Sequence, residues 1–231
     1  MEAIILCGGK AERLGDAAGG RPKSLVEVDG RPLAAYQVAR LGKAGVERVI
    51  MACAAGQGEM FEEELAGLGP EVIAAEEPAR FGRGGGIKFA ASRREESGDV
   101  FALNGDELVA VDFGALLERH RESGAAATVT VARPRSPFGV VELGRGDTIT
   151  GFSEGGSIPY WVSCGIYVLS PEAIARFPER GDHESTTFPE LAAEGRLVAY
   201  RHDGLWLTVN TPKELRAAAD HVEAHPEWLG L

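Results

Sequence analysis

The 231-residue chain is poor in cysteine, holding only Cys7, Cys53 and Cys164. They form no CxxC pair and no Cys/His cluster with metal spacing, which excludes a thiolate-built zinc site. Cys7 and Cys53 lie inside apolar runs, so buried thiols in a reducing compartment are expected. Basic charge is also scarce: 24 Lys and Arg face 35 Asp and Glu, a net charge of −11. That balance excludes nucleic acid or an anionic membrane as the main partner, yet a few local cations suffice for a small anionic ligand. No apolar run approaches the roughly 20 residues of a membrane span. The amino end, MEAIILCGG, has no basic leader and breaks into glycines after its apolar residues. It reads as a first strand rather than a signal peptide, and the expected compartment is the cytoplasm. Internal repeats and linker-like stretches are absent as well.

What the chain does have is the composition of a globular protein, with 44% hydrophobic and 26% charged residues and a length suited to one α/β domain. Strand-like runs alternate with helical patterns through the first half. Ala3–Cys7, Arg48–Ala52, Glu71–Ala74 and Val100–Leu103 read as strands, and Leu25–Val28 as a short extended piece before the Asp29-Gly30 turn. Leu33–Ala44, Glu59–Leu68, Gly86–Arg94 and Phe113–Ser123 read as helices, the first stopped by Gly45 and the last capped by Asp112. This alternation predicts a mostly parallel sheet covered on both faces. After residue 125 the pattern changes. Ala127–Ala132, Gly139–Leu143, Thr148–Phe152 and Trp161–Leu169 read as strands joined by turns, an antiparallel extension. Capping boxes are expected at Thr187–Glu190 and Thr211–Glu214, with a strand at Leu205–Val209 between them.

The strongest local signal is Leu6–Lys23, LCGGKAERLGDAAGGRPK. A buried strand runs into Gly8-Gly9, and the loop beyond carries Lys10, Arg13, Arg21 and Lys23. Glycines let backbone N–H groups converge on an anion with no Cβ in the way. Arg offers phosphate a planar fork and Lys a movable point charge. The carboxyl end of the first strand of an open α/β sheet is also where ligands bind. Two other phosphate loops are excluded: Lys10 precedes Ala11, so there is no GxxxxGK[ST], and no GxGxxG follows the strand. On spacing alone, a basic surface loop is the competing reading. Asp106 ends the run VFALNGD, and a carboxylate at a strand's end beside a glycine suits a Mg²⁺ ligand. Glu107 is expected to point away.

The segments GGKAERLG and PKSL resemble the GGxxxRLxPLT…PK-L signature of sugar-1-phosphate nucleotidyltransferases, and the resemblance covers almost the whole chain. FGRGGGI at 81–87 is similar to that family's LGTAGAL, LNGD at 103–106 to its L-x-GD, FGVVE at 138–142 to its YGVVE, and GFSE at 151–154 to its GF-x-EKP. SCG at 163–165 stands where the family has N-x-G, and WLTVNTP at 206–212 where it has WxDIGTP. The resemblance implies a Rossmann-like open mixed sheet, mostly parallel, with an antiparallel sugar-side extension. It implies one domain over 1–231, with about 1–124 and 205–231 on the nucleotide side and 125–204 on the sugar side. It further implies transfer of a nucleotidyl group from a nucleoside triphosphate, with a lean to GTP, to a sugar 1-phosphate or related cyclitol phosphate. Pyrophosphate is released and Mg²⁺ is the cofactor. Small mannose- or heptose-1-phosphate guanylyltransferases are similar in length; a homodimer is left open.

On the same resemblance, Arg13 holds the triphosphate tail, Lys23 the α-phosphate, and Asp106 the metal. Leu6, Gly8, Gly9, Lys10, Glu77, Gly85, Asn104 and Gly105 fall to the nucleotide; Gly139, Glu154, Ser163, Gly165 and Glu184 fall to the sugar. Three positions depart from the family pattern. Thr208 replaces its second metal-binding Asp and is a weak Mg²⁺ ligand. Gly155 replaces the Lys of EKP, and Ser163 the Asn of N-x-G. Arg133, Arg135 and Arg201 are candidates for the missing cation, while Trp161 and Trp206 are expected in packing. The departures keep two alternatives open: an alcohol-phosphate (choline-phosphate-type) cytidylyltransferase, and a nucleotide-binding regulatory subunit with little activity.

Overall fold

A computed structural model describes residues 1–9, 11–136, 138–156 and 158–225. β1 (Glu2–Leu6) leads into 3-10 turns at Glu12–Ala18 and Lys23–Leu25. The extended piece is shorter than the sequence suggests: Leu25 N–H reaches Pro22 O at 2.9 Å, winding Lys23–Leu25 into a turn. Only β2 (Glu27–Val28) is extended, paired with β3 (Arg31–Pro32). Then follow α1 (Leu33–Lys43), β4 (Arg48–Ala54), α2 (Gly58–Glu64), β5 (Glu71–Glu77), α3 (Gly82–Ala91), β6 (Val100–Asn104), β7 (Glu107–Val109) and α4 (Phe113–Ser123). The second half comprises β8 (Ala127–Ala132), β9 (Gly139–Leu143), β10 (Ile149–Glu154), β11 (Val162–Leu169), α5 (Pro171–Arg176), α6 (Thr187–Ala193), β12 (Leu197–Arg201), β13 (Trp206–Thr208) and α7 (Pro212–Ala224).

Seven strands form one sheet in the order β12-β8-β11-β6-β1-β4-β5. β6, β1, β4 and β5 run parallel, whereas β11 opposes both its neighbours, β6 and β8. This is the expected mixed sheet with an antiparallel extension. Successive strand residues enter opposite cores, as a two-residue period requires. Ile5, Met51 and Leu103 pack with Val38 and Leu41 of α1 and Phe113 and Leu116 of α4. Ile4, Ile50 and Ala102 pack on the other face with Ile87 of α3 and Leu191 of α6. β9 and β10 stand apart as a hairpin whose Leu143, Ile149 and Phe152 are exposed. Among the described residues no helix is long and apolar enough to cross a membrane.

Several local expectations are corrected. The helix read from Gly86 begins earlier, at Gly82, so Gly84, Gly85 and Gly86 all lie inside α3. Residues 178–183 press on it so closely that a Cβ at Gly85 would sit 2.5 Å from Glu179 O, and one at Gly84 2.8 Å from His183 N. Thr187 is the first helical residue of α6 rather than its cap, and its hydroxyl donates to Arg176 O at 3.0 Å. Thr211, by contrast, completes a full capping box with Glu214, and Asp112 caps α4. α5 and β12 were not expected. β12 is an edge strand of half-exposed residues, defined by its ladder with β8 rather than by its own pattern.

Two buried features matter below. His183 is fully buried among Phe177, Tyr167 and Phe188, with ring centroids 4.7, 5.4 and 4.7 Å away, and neither ring nitrogen has a hydrogen-bond partner. All three cysteines are free and buried; burial pushes the Cys53 and Cys164 thiols up to about 12, and Cys7 higher still.

Candidate active site

Because β1, β4, β5 and β6 are parallel, their carboxyl ends share one edge of the sheet. A cavity of about 1320 Å³ opens there, lined by Leu6, Gly8 and Gly9 at the end of β1, by Ala54 and Gln57 at the end of β4, by Glu77 of β5, and by Asn104, Asp106 and Glu107 at the end of β6. Gly82 and Arg83 at the start of α3, with Lys23, Asp182 and Asn210, complete the wall. The volume exceeds the roughly 300–1,000 Å³ usual for a small-molecule site, so a ligand the size of a nucleotide fits with room for an acceptor.

Lys23 sits at the centre. The turn at Lys23–Leu25 directs its side chain inward, where the residue is only 7% exposed. Its Nζ donates to Asp106 Oδ2 at 2.6 Å and to Asn210 Oδ1 at 2.7 Å. Arg13 is exposed, and its Nη2 reaches the same Asn210 oxygen at 3.5 Å. Asp106 is fixed through its backbone: its carbonyl accepts from Val209 N–H at 3.1 Å, and the preceding Gly105 N–H donates to Leu6 O at 3.0 Å. Gly105 packs so tightly that a Cβ would lie 2.5 Å from Ser24 Oγ and 2.6 Å from Leu6 O. Gln37 of α1 clamps the turn from beneath, its Nε2 donating to Asn104 O and Glu107 O at 2.8 Å each.

Glu107 does not point away; it lines the cavity. Burial pushes its carboxyl up to about 7, against the opposing effect of hydrogen bonds from Trp206 Nε1 (2.8 Å) and Asn104 Nδ2 (3.3 Å). Glu77 lines the cavity too, with Oε2 accepting from Phe81 N–H at 3.0 Å, while Glu76 turns to Gly58 N–H at 2.6 Å. Arg21 reaches the cavity but pairs with Glu64 and, at 3.4 Å, with Glu27. Gly85 is buried under residue 179 and is not brought to the cavity. Lys10 lies outside the described residues.

The residues expected on the acceptor side divide into two groups. Ser163 Oγ is 3.3 Å from Tyr167 Oη, Tyr167 donates to Glu184 Oε1 at 2.7 Å, and Glu184 Oε2 pairs with Arg83 at 2.6 Å. This chain of contacts ends on the cavity wall, because Arg83 lines it. Gly165, at φ +65°, lies against Asn104 and Glu107, and a Cβ would come within 2.9 Å of Glu107 Oε1. Gly139 and Glu154, however, pair with one another on the exposed hairpin and do not line the cavity. Thr208 is not brought in either; its hydroxyl donates to Glu214 Oε1 at 3.1 Å. Trp161 gathers two of the candidate cations, with Arg133 and Arg201 at 4.6 and 5.3 Å from its ring centroid. Asn210 escaped the sequence reading. The signal for it was a polar residue at the glycine position of the WxDIGTP-like segment, directly before a capping box.

A family model described as nucleotidyl transferase matches residues 2–225. Mannose-1-phosphate guanylyltransferase catalytic subunit beta of Xenopus tropicalis is 30% identical over 245 residues, covering 99% of this chain and 68% of that protein. Mannose-1-phosphate guanylyltransferase of Mycobacterium tuberculosis is 31% identical over 236 residues, covering 96% of this chain and 65% of that protein. The chain thus spans about two thirds of the length of these relatives. Among solved structures, HddC from Yersinia pseudotuberculosis superposes with a TM-score of 0.75 at 20% identity, over 95% of this chain and 98% of that one. The same protein complexed with GMP-PN gives 0.72 over the same shares. At such identities the structures show the shared fold, a Rossmann-like one. With the match running from the first strand to the end of the last described helix, the chain belongs to the nucleotidyl transferase family.

Proposed function

We propose that the protein transfers a nucleotidyl group from a nucleoside triphosphate to a sugar 1-phosphate, forming a nucleoside diphosphate sugar and releasing pyrophosphate. The observation that carries this reading is the buried Lys23 beside Asp106 at the mouth of the glycine loop, in a cavity large enough for both substrates. The names of the curated relatives and the GMP-PN complex of the structural neighbour favour GTP, with mannose 1-phosphate or a similar sugar as acceptor. We assign about 1–124 and 205–231 to the nucleotide and 125–204 to the acceptor. Buried, free cysteines fit a reducing compartment, and we place the protein in the cytoplasm.

In this reaction an oxygen of the acceptor phosphate bonds to the α-phosphorus while the bond to the β-phosphate oxygen breaks. Two anions must meet, so positioning and charge neutralisation do most of the work and no protein nucleophile is needed. Lys23 is the desolvated cation for the α-phosphate, and Arg13 the exposed one for the leaving pyrophosphate. Gly8 and Gly9 let backbone approach the phosphates. Asp106 would hold a divalent cation, Mg²⁺ by preference, since a carboxylate oxygen suits a hard ion held largely by substrate phosphates. When bound, that ion would neutralise charge on the transferring phosphate. Ser163 and Glu184, linked through the buried Tyr167, would receive sugar hydroxyls, and Gly165 brings the backbone close to them. Arg133 and Arg201, held on Trp161, take the place of the cation missing at Gly155.

Pyrophosphate release tests the proposal, with Mg²⁺, each common nucleoside triphosphate and a panel of acceptors. Release with GTP and a hexose 1-phosphate is expected. Release only with CTP and an alcohol phosphate would make it a cytidylyltransferase. Heat stabilisation by a triphosphate without release for any acceptor would make it a binding subunit.

A further inference from the structure

We infer that Arg83 is a positioning residue for the acceptor, holding the Glu184 carboxylate in place from the wall that we assign to the nucleotide. The inference rests on the reading of Glu184 as a contact for the sugar. Arg83 lies in the first turn of α3 and lines the cavity. It stands where the LGTAGAL-like segment has threonine, a side chain too short to bridge two carboxylates. Its guanidinium does bridge two. Nε donates to Asp182 Oδ2 at 2.8 Å, Nη2 reaches the same oxygen, and Nη1 lies 2.6 Å from Glu184 Oε2. The other Glu184 oxygen, Oε1, accepts the hydroxyl of the buried Tyr167 at 2.7 Å. Glu184 is therefore gripped from two sides, once from the core and once from α3.

The backbone around this pair is tied to α3 as well. Gly181 N–H donates to Phe81 O at 2.7 Å, and Gly181 O accepts Gly84 N–H at 3.0 Å. Asp182 Oδ1 accepts Glu184 N–H at 3.0 Å, so the turn that carries Glu184 is closed by a residue that Arg83 also holds. Among the described residues, no other cation pairs with the Glu184 side chain. Without Arg83, a glutamate side chain 29% exposed would sample several rotamers and would repel Asp182 nearby. A planar fork fixes both carboxylates at once, which a point charge does not. A carboxylate oxygen accepts more than one donor, so the two grips leave room for sugar hydroxyls.

The test measures pyrophosphate release by the whole protein with GTP and mannose 1-phosphate, reading kcat and the KM of each substrate. Arg83→Gln should raise KM for the sugar phosphate by about tenfold and leave kcat and KM for GTP within about twofold. Glu184→Ala should raise the same KM by a similar factor, about tenfold. The double variant should be no worse than Glu184→Ala, to within about twofold, because a residue that acts through another loses its effect once that other is gone. Arg83→Lys keeps the charge but reaches one carboxylate only, so it should fall between the unaltered protein and Arg83→Gln. It carries the same cycle if Arg83→Gln does not melt cooperatively. Effects that multiply in the double variant, or that appear in KM for GTP, overturn the inference and make Arg83 a direct contact. A lowered melting temperature with KM for the sugar phosphate unchanged overturns it too, leaving the arginine a structural tie. If the unaltered protein releases no pyrophosphate with any acceptor, the proposed function itself falls and takes this inference with it.

Discussion

The two halves of the sheet edge hold their charged residues in opposite ways. On the half we assign to the nucleotide, Lys23 touches both Asp106 and Asn210, and Gln37 braces the turn beneath them. On the half we assign to the acceptor, the hairpin of β9 and β10 with the residue before it exposes Phe138, Leu143, Ile149 and Phe152, and Gly139 and Glu154 lie on it away from the cavity. Among the described residues, Arg133 and Arg201 stack on an indole and form no ion pair with a carboxylate. One half is organised before any ligand arrives; the other presents contacts that a ligand must gather. Of the departures from the family pattern, Gly155 and Ser163 fall in the half assigned to the acceptor, and Thr208 and Asn210 in the half assigned to the nucleotide.

The contrast is most exposed to Lys23→Ala. Removing a preorganised cation should lower turnover by about 10²–10³-fold in the pyrophosphate assay while the thermal transition stays cooperative. Retained activity would show that the organised half is not the reacting half. Arg133→Gln combined with Arg201→Gln should be milder and of another kind, raising KM for the acceptor by about tenfold with KM for the triphosphate unchanged. An effect on the triphosphate instead would move these arginines across the divide.

A pH titration of stability probes the buried His183, in the segment 178–183 that presses on α3. Burial lowers the His183 pKa from 6.5 to about 4, and it lowers that of His120 as well. Between those values the unfolded chain binds a proton that the folded chain refuses, so stability is highest above pH 6.5 and declines as pH falls toward 4. His183→Leu, close in volume, should flatten that decline in thermal melts; an unchanged slope would place its origin elsewhere. Phe152→Ala should do least, changing stability by no more than about 0.5 kcal/mol in urea titrations, because an exposed hairpin residue leaves no cavity. A large loss there would mean that the hairpin is packed against something in solution.

Much of the fold was legible because its signals are local. β8, β9 and α4 follow from apolar period, turn residues and the Asp112 cap. The failures are those of tertiary context. Thr187 and Thr211 carry the same four-residue pattern, but only Thr211 stands at the cap position; Thr187 lies one residue inside its helix and donates to Arg176 O instead. The start of α3 at Gly82 was missed because consecutive glycines carry no helical signal of their own, and their place in the helix shows only once residues 178–183 are seen pressing on them. At the site, Lys23 and Asp106 were legible from their motifs, and the structure brings them within 2.6 Å. Asn210 was not, because its meaning lies in a contact with a residue 187 positions away.

The sealed sulfurs have a practical consequence. Every native thiol is inaccessible and strongly disfavours its nucleophilic anion at neutral pH. Maleimide or iodoacetamide dyes should therefore leave the folded protein untouched, and one cysteine introduced on the exposed hairpin would be the sole labelling point. Fluorescence from that position could then follow the hairpin as each substrate is added, with no need to remove the natural residues first.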